Sequence, residues 1–342
     1  MSSELRLRLR KVREGMREAR VGAFYVTRDV DVLYLSGQES GRILVTDKDA
    51  ILWVKDIYEE LYDATYSSAG YPLEVREYDK EKLEGTLRGL RKKAIGVCSY
   101  DAAAALRKVS GKRSVVADVV KSARSVKTKH EIELIRRSCN MAKAGMRKAR
   151  EVVRKDVREL DAVAEVEAEL RRRGSEKAPF GSGMLLASGR FSSDIHAKAS
   201  LRRIQRGTVV VDLGACHRGY FSDMTRTLMV GAPTVDERRV MESVRNLRDE
   251  TIDYIRPGML ASEVHRHVEG RISGLGFNFY HLTGHGVGLE VHESPSFSPD
   301  SKVKLRDGMV FTVEPGIYVP KKFGVRFEDT VLLTRNGCKK LT

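Results

Sequence analysis

The sequence predicts an α/β protein of two domains, and three observations carry that prediction. Between residues 23 and 118, short β-branched and aromatic runs alternate with helix-forming stretches, the texture of a layered α/β domain. Around Lys121–Lys129 the composition turns polar and basic, as at a junction between domains. Beyond it, two long helical stretches give way to strands, two more helices and further strands. A chain of 342 residues is also longer than a single core ordinarily supports. The expected division is residues 1–122 and 123–342.

Taken in order, residues 3–20 admit two readings. Leu5, Leu7 and Leu9 alternate like a strand, whereas Leu5, Leu9, Val12, Met16 and Ala19 follow a 4,3,4,3 spacing. The second pattern is longer and built of good helix formers, so an amphipathic helix is expected. Strands are expected at Ala23–Thr27, Arg42–Thr46, Ala50–Val54, Leu73–Glu77, Ala94–Val97 and Val115–Asp118. Helices are expected near Asp56–Tyr66, Glu81–Lys92 and Tyr100–Lys108. This first domain carries no cluster of catalytic residue types. In the second, helices are expected over 128–154 and 157–173, the first with a stripe of Ile132, Ile135, Cys139, Ala142 and Met146. Strands follow at Gly183–Ala187, Thr208–Asp212 and Thr225–Val230, then helices near 234–255 and 261–274, then strands at Val310–Glu314 and Gly324–Thr334.

Composition narrows the function. Charged residues at 32% and hydrophobic residues at 41% describe a globular chain and not a disordered one. There is no apolar run of about 18 or more residues, so no membrane-spanning helix is expected. The N-terminal stretch is charged at once and lacks the apolar core of a signal peptide, so the expected location is the cytoplasm. The net charge of +15 invites a nucleic-acid reading. Lys and Arg are nevertheless interleaved with Asp and Glu, without an aromatic-interleaved basic motif, so no nucleic-acid partner is expected. Cys98, Cys139, Cys216 and Cys338 are scattered and read as reduced, packed thiols.

Three of the eight histidines fall in His281-Leu-Thr-Gly-His285-Gly-Val-Gly-Leu-Glu-Val-His292. The i,i+4 pair would suit a helical metal motif, but Gly284, Gly286 and Gly288 would each cost a helix about 1 kcal/mol relative to Ala. A turn-rich loop or strand edge is expected, with backbone close to something bound. Carboxylates occur in matching contexts. Asp212 ends Val-Val-Val-Asp, Asp223 lies in Phe-Ser-Asp-Met-Thr, Glu314 in Phe-Thr-Val-Glu-Pro-Gly and Glu328 in Val-Arg-Phe-Glu-Asp. At period two, Arg326 and Glu328 share a face. A carboxylate within a buried apolar strand is costly unless it is paired or binds a metal. Hard oxygen donors with one imidazole suit divalent ions such as Mn, Co, Fe or Zn.

The ordered set Asp212, Asp223, His285, Glu314 and Glu328 resembles the five metal ligands of the pita-bread metallopeptidases, which include methionine aminopeptidase, aminopeptidase P and prolidase. The segments Asp-Leu-Gly, Asp-Met-Thr-Arg-Thr, Gly-His-Gly-Val-Gly, Val-Glu-Pro-Gly and Val-Arg-Phe-Glu-Asp all match that family's motifs, and the resemblance spans about residues 125–342. The first domain is similar to the N-terminal domain of the prolidase, aminopeptidase P and creatinase branch. The resemblance implies a creatinase-like α/β domain followed by an α+β pita-bread domain with a curved antiparallel sheet. It implies two divalent ions per chain, Mn or Co ahead of Zn or Fe. Asp212 would chelate one ion, His285 with Glu314 the other, and Asp223 and Glu328 would bridge both. A bridging hydroxide would attack the scissile carbonyl, with Glu314 as proton shuttle, His292 on the oxyanion and His196 on the substrate beyond the bond. His281 would wall a proline pocket, and Arg326 would pair with neighbouring acids or the substrate carboxylate. The context of His196, Ser-Asp-Ile-His-Ala-Lys, lacks the prolines that often flank the family's histidine there. The implied activity is hydrolysis of the Xaa-Pro bond of dipeptides. The alternatives are an aminopeptidase P acting on longer peptides and a non-catalytic binding protein on the same fold. A homodimer is implied, with Tyr34–Arg42 reaching the partner's site.

Overall fold

The leucine spacing at the N-terminus resolves into helix α1 (Ser2–Glu18), with Leu5, Leu9, Val12 and Met16 buried and Leu7 exposed. The computed structural model describes residues 2–55, 72–90, 94–178, 180–181 and 183–342. It divides into two units, Met1–Arg124 and Ser125–Thr342.

In the first unit, strands β1 (Ala23–Val26), β2 (Arg42–Thr46), β3 (Ala50–Val54), β4 (Glu74–Glu77), β5 (Ile95–Val97) and β6 (Ser114–Val116) form one mixed sheet in the order β4-β3-β2-β1-β5-β6. Pairing is antiparallel around β2 and parallel at β3–β4, β1–β5 and β5–β6. Helices α2 (Asp29–Ser36), α3 (Lys80–Gly89), α4 (Tyr100–Ser110) and α5 (Val119–Ser125) accompany it. Trp53, Leu44, Ile95, Leu83 and Leu87 form its core.

Helix α2 went unpredicted because Asp31, Val32, Tyr34, Leu35 and Ser36 are all buried, so the segment has no amphipathic stripe to read. The stretch expected as the junction, Lys121–Lys129, contains the division between the two units, after Arg124. Helix α5 ends within it, and two of its cations are buried in ion pairs, Arg124 with Asp31 at 2.8 Å and Lys127 with Glu293 at 2.6 Å, whereas Lys121 and Lys129 are exposed. The helix expected near Asp56–Tyr66 lies outside the described residues.

The second unit begins with α6 (Lys129–Val152), closed at its start by a reciprocal capping box between Thr128 and Glu131, and α7 (Glu159–Arg172). A three-stranded antiparallel sheet follows, with β8 (Gly207–Leu213) between β7 (Leu185–Ser188) and β11 (Met224–Val230). The short hairpin β9 (Cys216–His217) and β10 (Tyr220–Phe221) joins β8 to β11. Helices α8 (Val235–Tyr254) and α9 (Ala261–Gly274) come next. A second sheet orders β12 (His285–Gly286), β13 (Glu293–Ser296), β14 (Val310–Val313), β17 (Asp329–Thr334) and β18 (Gly337–Lys340) as β13-β12-β14-β17-β18. Strands β15 (Gly316–Val319) and β16 (Phe323–Arg326) form a hairpin of their own. Helices and antiparallel sheets in this order match the α+β domain that the sequence resemblance implies, and the mixed sheet of the first unit matches the implied α/β domain.

The single strand expected over Gly324–Thr334 is therefore two, broken at Phe327 and Glu328. The break has a cause. The Glu328 N–H donates to the Thr225 carbonyl at 3.0 Å instead of continuing a ladder, which turns its side chain into the space between the two sheets.

Candidate metal centre

Each acid of the site sits where a strand begins or ends. In the β8–β11 ladder Asp212 lies opposite Thr225 and Leu213 opposite Met224, which leaves Asp223 just before β11. Glu314 follows β14 and Glu328 precedes β17, two strands in register through Thr312 with Thr330. The sheets are stitched together at this level, with the Asp223 N–H donating to Thr330 Oγ1 at 3.2 Å and the Thr330 hydroxyl donating to the Asp223 carbonyl at 2.7 Å.

The glycines around His285 are there for close approach. A Cβ at Gly284 would lie 2.0 Å from the Thr312 carbonyl oxygen, and one at Gly286 would lie 2.2 Å from that of Ser294. Only backbone without side chains fits β12 between β13 and β14. The His285 N–H donates to Thr312 Oγ1 at 3.0 Å. Its Nδ1 is 3.2 Å from the Gly286 carbonyl, which can only accept, so Nδ1 carries the proton and Nε2 keeps its lone pair. That Nε2 stands 3.5 Å from Glu314 Oε1 and 3.8 Å from Asp223 Oδ2.

Asp223, His285 and Glu328 offer ligand atoms that all lie within 4.8 Å of one another. Glu314 borders this triad through its contact with His285. Asp212 lines the same cavity, although one of its oxygens is taken, with Oδ2 accepting from Arg326 Nη2 at 2.6 Å. Arg326 thus pairs directly with one of the expected ligands. Glu328 Oε2 accepts the Thr225 hydroxyl at 2.6 Å. The opposite oxygens, Asp212 Oδ1, Asp223 Oδ1 and Glu328 Oε1, are buried with no hydrogen-bond partner. Buried acceptors of this kind are costly. Burial, and then the charges of neighbouring acids, push Asp223 and Glu328 well above the ordinary carboxylate range, and burial pushes Glu314 up to about 7. Buried carboxylates gathered beside an imidazole lone pair, three of them with an oxygen that no protein donor satisfies, form a donor set that fits a divalent cation.

All nine side chains singled out from the sequence line one cavity of about 290 Å³. His292 is exposed, with its ring centroid 4.1 Å from that of His285, and Phe180 faces it at 6.5 Å. His196 is exposed at the cavity edge. Its segment is held by Glu159, a fully buried carboxylate at the start of α7. Oε1 of Glu159 accepts from the Ser188 N–H and hydroxyl at 3.0 and 2.7 Å. Its Oε2 accepts from the Ser200 N–H and hydroxyl at 3.0 and 3.1 Å and pairs with Arg202 at 2.9 Å. His281 stands outside the ligand cluster. Its Nδ1–H donates to the Leu282 carbonyl, and its Nε2 accepts the Tyr318 hydroxyl at 3.0 Å, which in turn accepts from Arg326 Nη1 at 3.0 Å. Burial lowers the His281 pKa to about 3, so this ring is neutral.

Sequence reasoning missed Tyr318, Thr225 and Thr312. The signal for Tyr318 was weak, an aromatic four residues beyond Glu314. The two threonines could be placed only once the strand register was known. His265 is buried against Thr283, whereas His267, two residues further along α9, stacks on Tyr254 at 4.3 Å.

Residues 133–335 match metallopeptidase family M24, and residues 8–126 match the creatinase/prolidase N-terminal domain. The Xaa-Pro dipeptidase of Pyrococcus furiosus is 37% identical, with 98% of this chain and 97% of that protein covered. The crystal structure of the prolidase from Pyrococcus horikoshii superposes with a TM-score of 0.87 at 34% identity, covering 98% of this chain and 97% of that one. The X-Pro aminopeptidase from Thermotoga maritima superposes with a TM-score of 0.83 at 28% identity, covering 98% and 97%. With its carboxylate and imidazole donors gathered on a fold shared along its whole length with these enzymes, the chain belongs to metallopeptidase family M24 and is a metal-dependent peptidase.

Proposed function

We propose that the enzyme hydrolyses the Xaa-Pro bond of dipeptides, and that Asp212, Asp223, His285, Glu314 and Glu328 hold two divalent ions, Mn or Co ahead of Zn or Fe. The observation that carries the reading is the gathering of Asp223, His285 and Glu328 within 4.8 Å of one another, in a cavity where Asp212, Asp223 and Glu328 each keep a buried oxygen without a partner. When bound, such ions polarise the scissile carbonyl and make water a nucleophile near neutral pH.

The chain's own residues do the rest. Glu314, which lines the cavity 3.5 Å from His285, is placed to take a proton from the attacking water and return it to the departing nitrogen. His292, exposed beside His285, is placed to stabilise the oxyanion, and His196 is placed to contact the substrate beyond the scissile bond. Neutral His281, with Phe180, Leu185 and Ile195, gives the cavity an apolar side suited to a pyrrolidine ring. The bond after Xaa is a tertiary amide without an N–H, so such a wall wastes no donor or acceptor on it. Arg326 holds Asp212 in place and supplies the hydrogen bond that orients Tyr318 toward His281. We further propose a homodimer in the cytoplasm. The identities favour the dipeptidase over an aminopeptidase P, which remains the second reading because an X-Pro aminopeptidase shares the fold over the full chain.

The test is proline release after chelation and restoration of Mn or Co. Metal-dependent cleavage of Met-Pro but not of a Met-Pro-Xaa tripeptide supports the dipeptidase. Release of Met from the tripeptide moves the assignment to aminopeptidase P. Cleavage of Met-Ala-Xaa instead would overturn both.

A further inference from the structure

The strands that present the metal centre on one side present a concentration of cations on the other. Thr225 and Thr227 contact Glu328 and Arg326, so Arg226 between them points away from the centre. Phe327, between Arg326 and Glu328, likewise packs outward with Val240 and Val244 of α8. Together they line a concavity of about 690 Å³, in the range of small-molecule sites. We propose that it binds a small molecule bearing two or more phosphate groups. The inference is independent of the peptidase reaction.

Five cations border the space, namely Arg150 of α6, Arg226 of β11, Arg245 and Arg248 of α8, and Lys340 of β18. Two carboxylates oppose them. Buried Asp329 takes Arg226 at 2.5 Å, Arg248 at 3.3 Å and Lys340 at 3.8 Å, and Asp249 takes Arg248 at 2.7 Å and also Lys340. Among the described residues, Arg150 and Arg245 meet no carboxylate within ion-pair distance. The Arg245 guanidinium instead lies over the Phe327 ring at 5.0 Å, which fixes its position without using its N–H groups. Like charges gathered around a concavity repel one another and raise the local concentration of anions.

Guanidinium forks match phosphate oxygens two at a time, and each phosphate monoester brings about −1.5 to −2 charge to meet the cations that the carboxylates leave over. Phe327 and Met241 add an apolar wall for the body that carries the phosphates.

The experiment is isothermal titration of the metal-loaded enzyme, at low salt, with fructose bisphosphate, fructose monophosphate and fructose. The bisphosphate is expected to bind at one site per chain, at least about tenfold more tightly than the monophosphate, and fructose not at all. The double variant Arg150→Gln, Arg245→Gln should weaken the bisphosphate about tenfold or more while keeping its melting profile. The control Arg107→Gln, Lys108→Gln removes the same charge from exposed positions of α4 and should leave binding unchanged. No binding of the bisphosphate, or equal weakening in both double variants, overturns the proposal.

Discussion

At the scale of single residues, the site is governed by what burial does to acids. Asp212, Asp223, Glu314 and Glu328 were legible in the sequence because a carboxylate at the end of an apolar run needs an explanation. Their partners were not, since the hydroxyls of Thr225, Thr312 and Tyr318 gain meaning only from the strands that face them. The Glu314 carboxyl lines the cavity beside His285, where it is placed to move a proton between water and the leaving nitrogen. Glu314→Gln keeps the shape and one oxygen donor but loses the proton exchange. Proline release is expected to fall about 10²- to 10⁴-fold in kcat. A variant within a few-fold of the parent would remove Glu314 from the proton pathway.

At the scale of elements, the sheets place the chemistry, and the glycines let them. The expectation of a strand edge at Gly284–Gly288 rested on residue type alone, and the structure supplies the reason in the carbonyls of Thr312 and Ser294. The hairpin β15–β16 was hidden because the sequence runs apolar from Val325 through Leu333 with only Arg326, Glu328, Asp329 and Thr330 interrupting, and the crossing at Glu328 depends on a hydrogen bond to another strand. Gly284→Ala would drive a methyl group into the Thr312 carbonyl, and neither strand can yield without breaking its ladder. A stability loss of about 1–3 kcal/mol is expected, together with weaker metal retention, since β12 carries His285. Denaturant melts and metal analysis after dialysis check it. Unchanged values in both would mean the strands separate freely.

For the molecule as a whole, the two-unit architecture was readable from the alternation of strands and helices, whereas the buried cations near the junction were not, because Arg124 and Lys127 look like surface residues until Asp31 and Glu293 are placed beside them. Stability is expected to depend on metal and pH together. Folding raises the affinity of Asp223, Glu314 and Glu328 for protons, Glu314 from 4.5 to about 7. A group that binds its proton more tightly when folded contributes stability that is lost as pH rises through its folded value. His281, lowered from 6.5 to about 3, acts in the opposite sense, but only below 6.5, where the unfolded ring would be charged. From pH 6.5 upward the carboxyls act alone. The chelated enzyme should therefore melt at falling temperatures from pH 6.5 to about 8, and the metal-loaded enzyme should not. A flat profile for the chelated enzyme would count against the ligand cluster.

Glu159 grips the chain at Ser188 and again at Ser200 and Arg202, and it does so with one carboxylate. Both ends of the segment that carries His196 are thereby fastened to the same helix, while Asp194, His196 and Lys198 between them are exposed. For an engineer, this is a replaceable cassette. Exposed residues between the two anchor points other than His196 can be exchanged to retune which substrates the cavity admits, provided that Glu159, its serines and the buried Ser192 are left untouched.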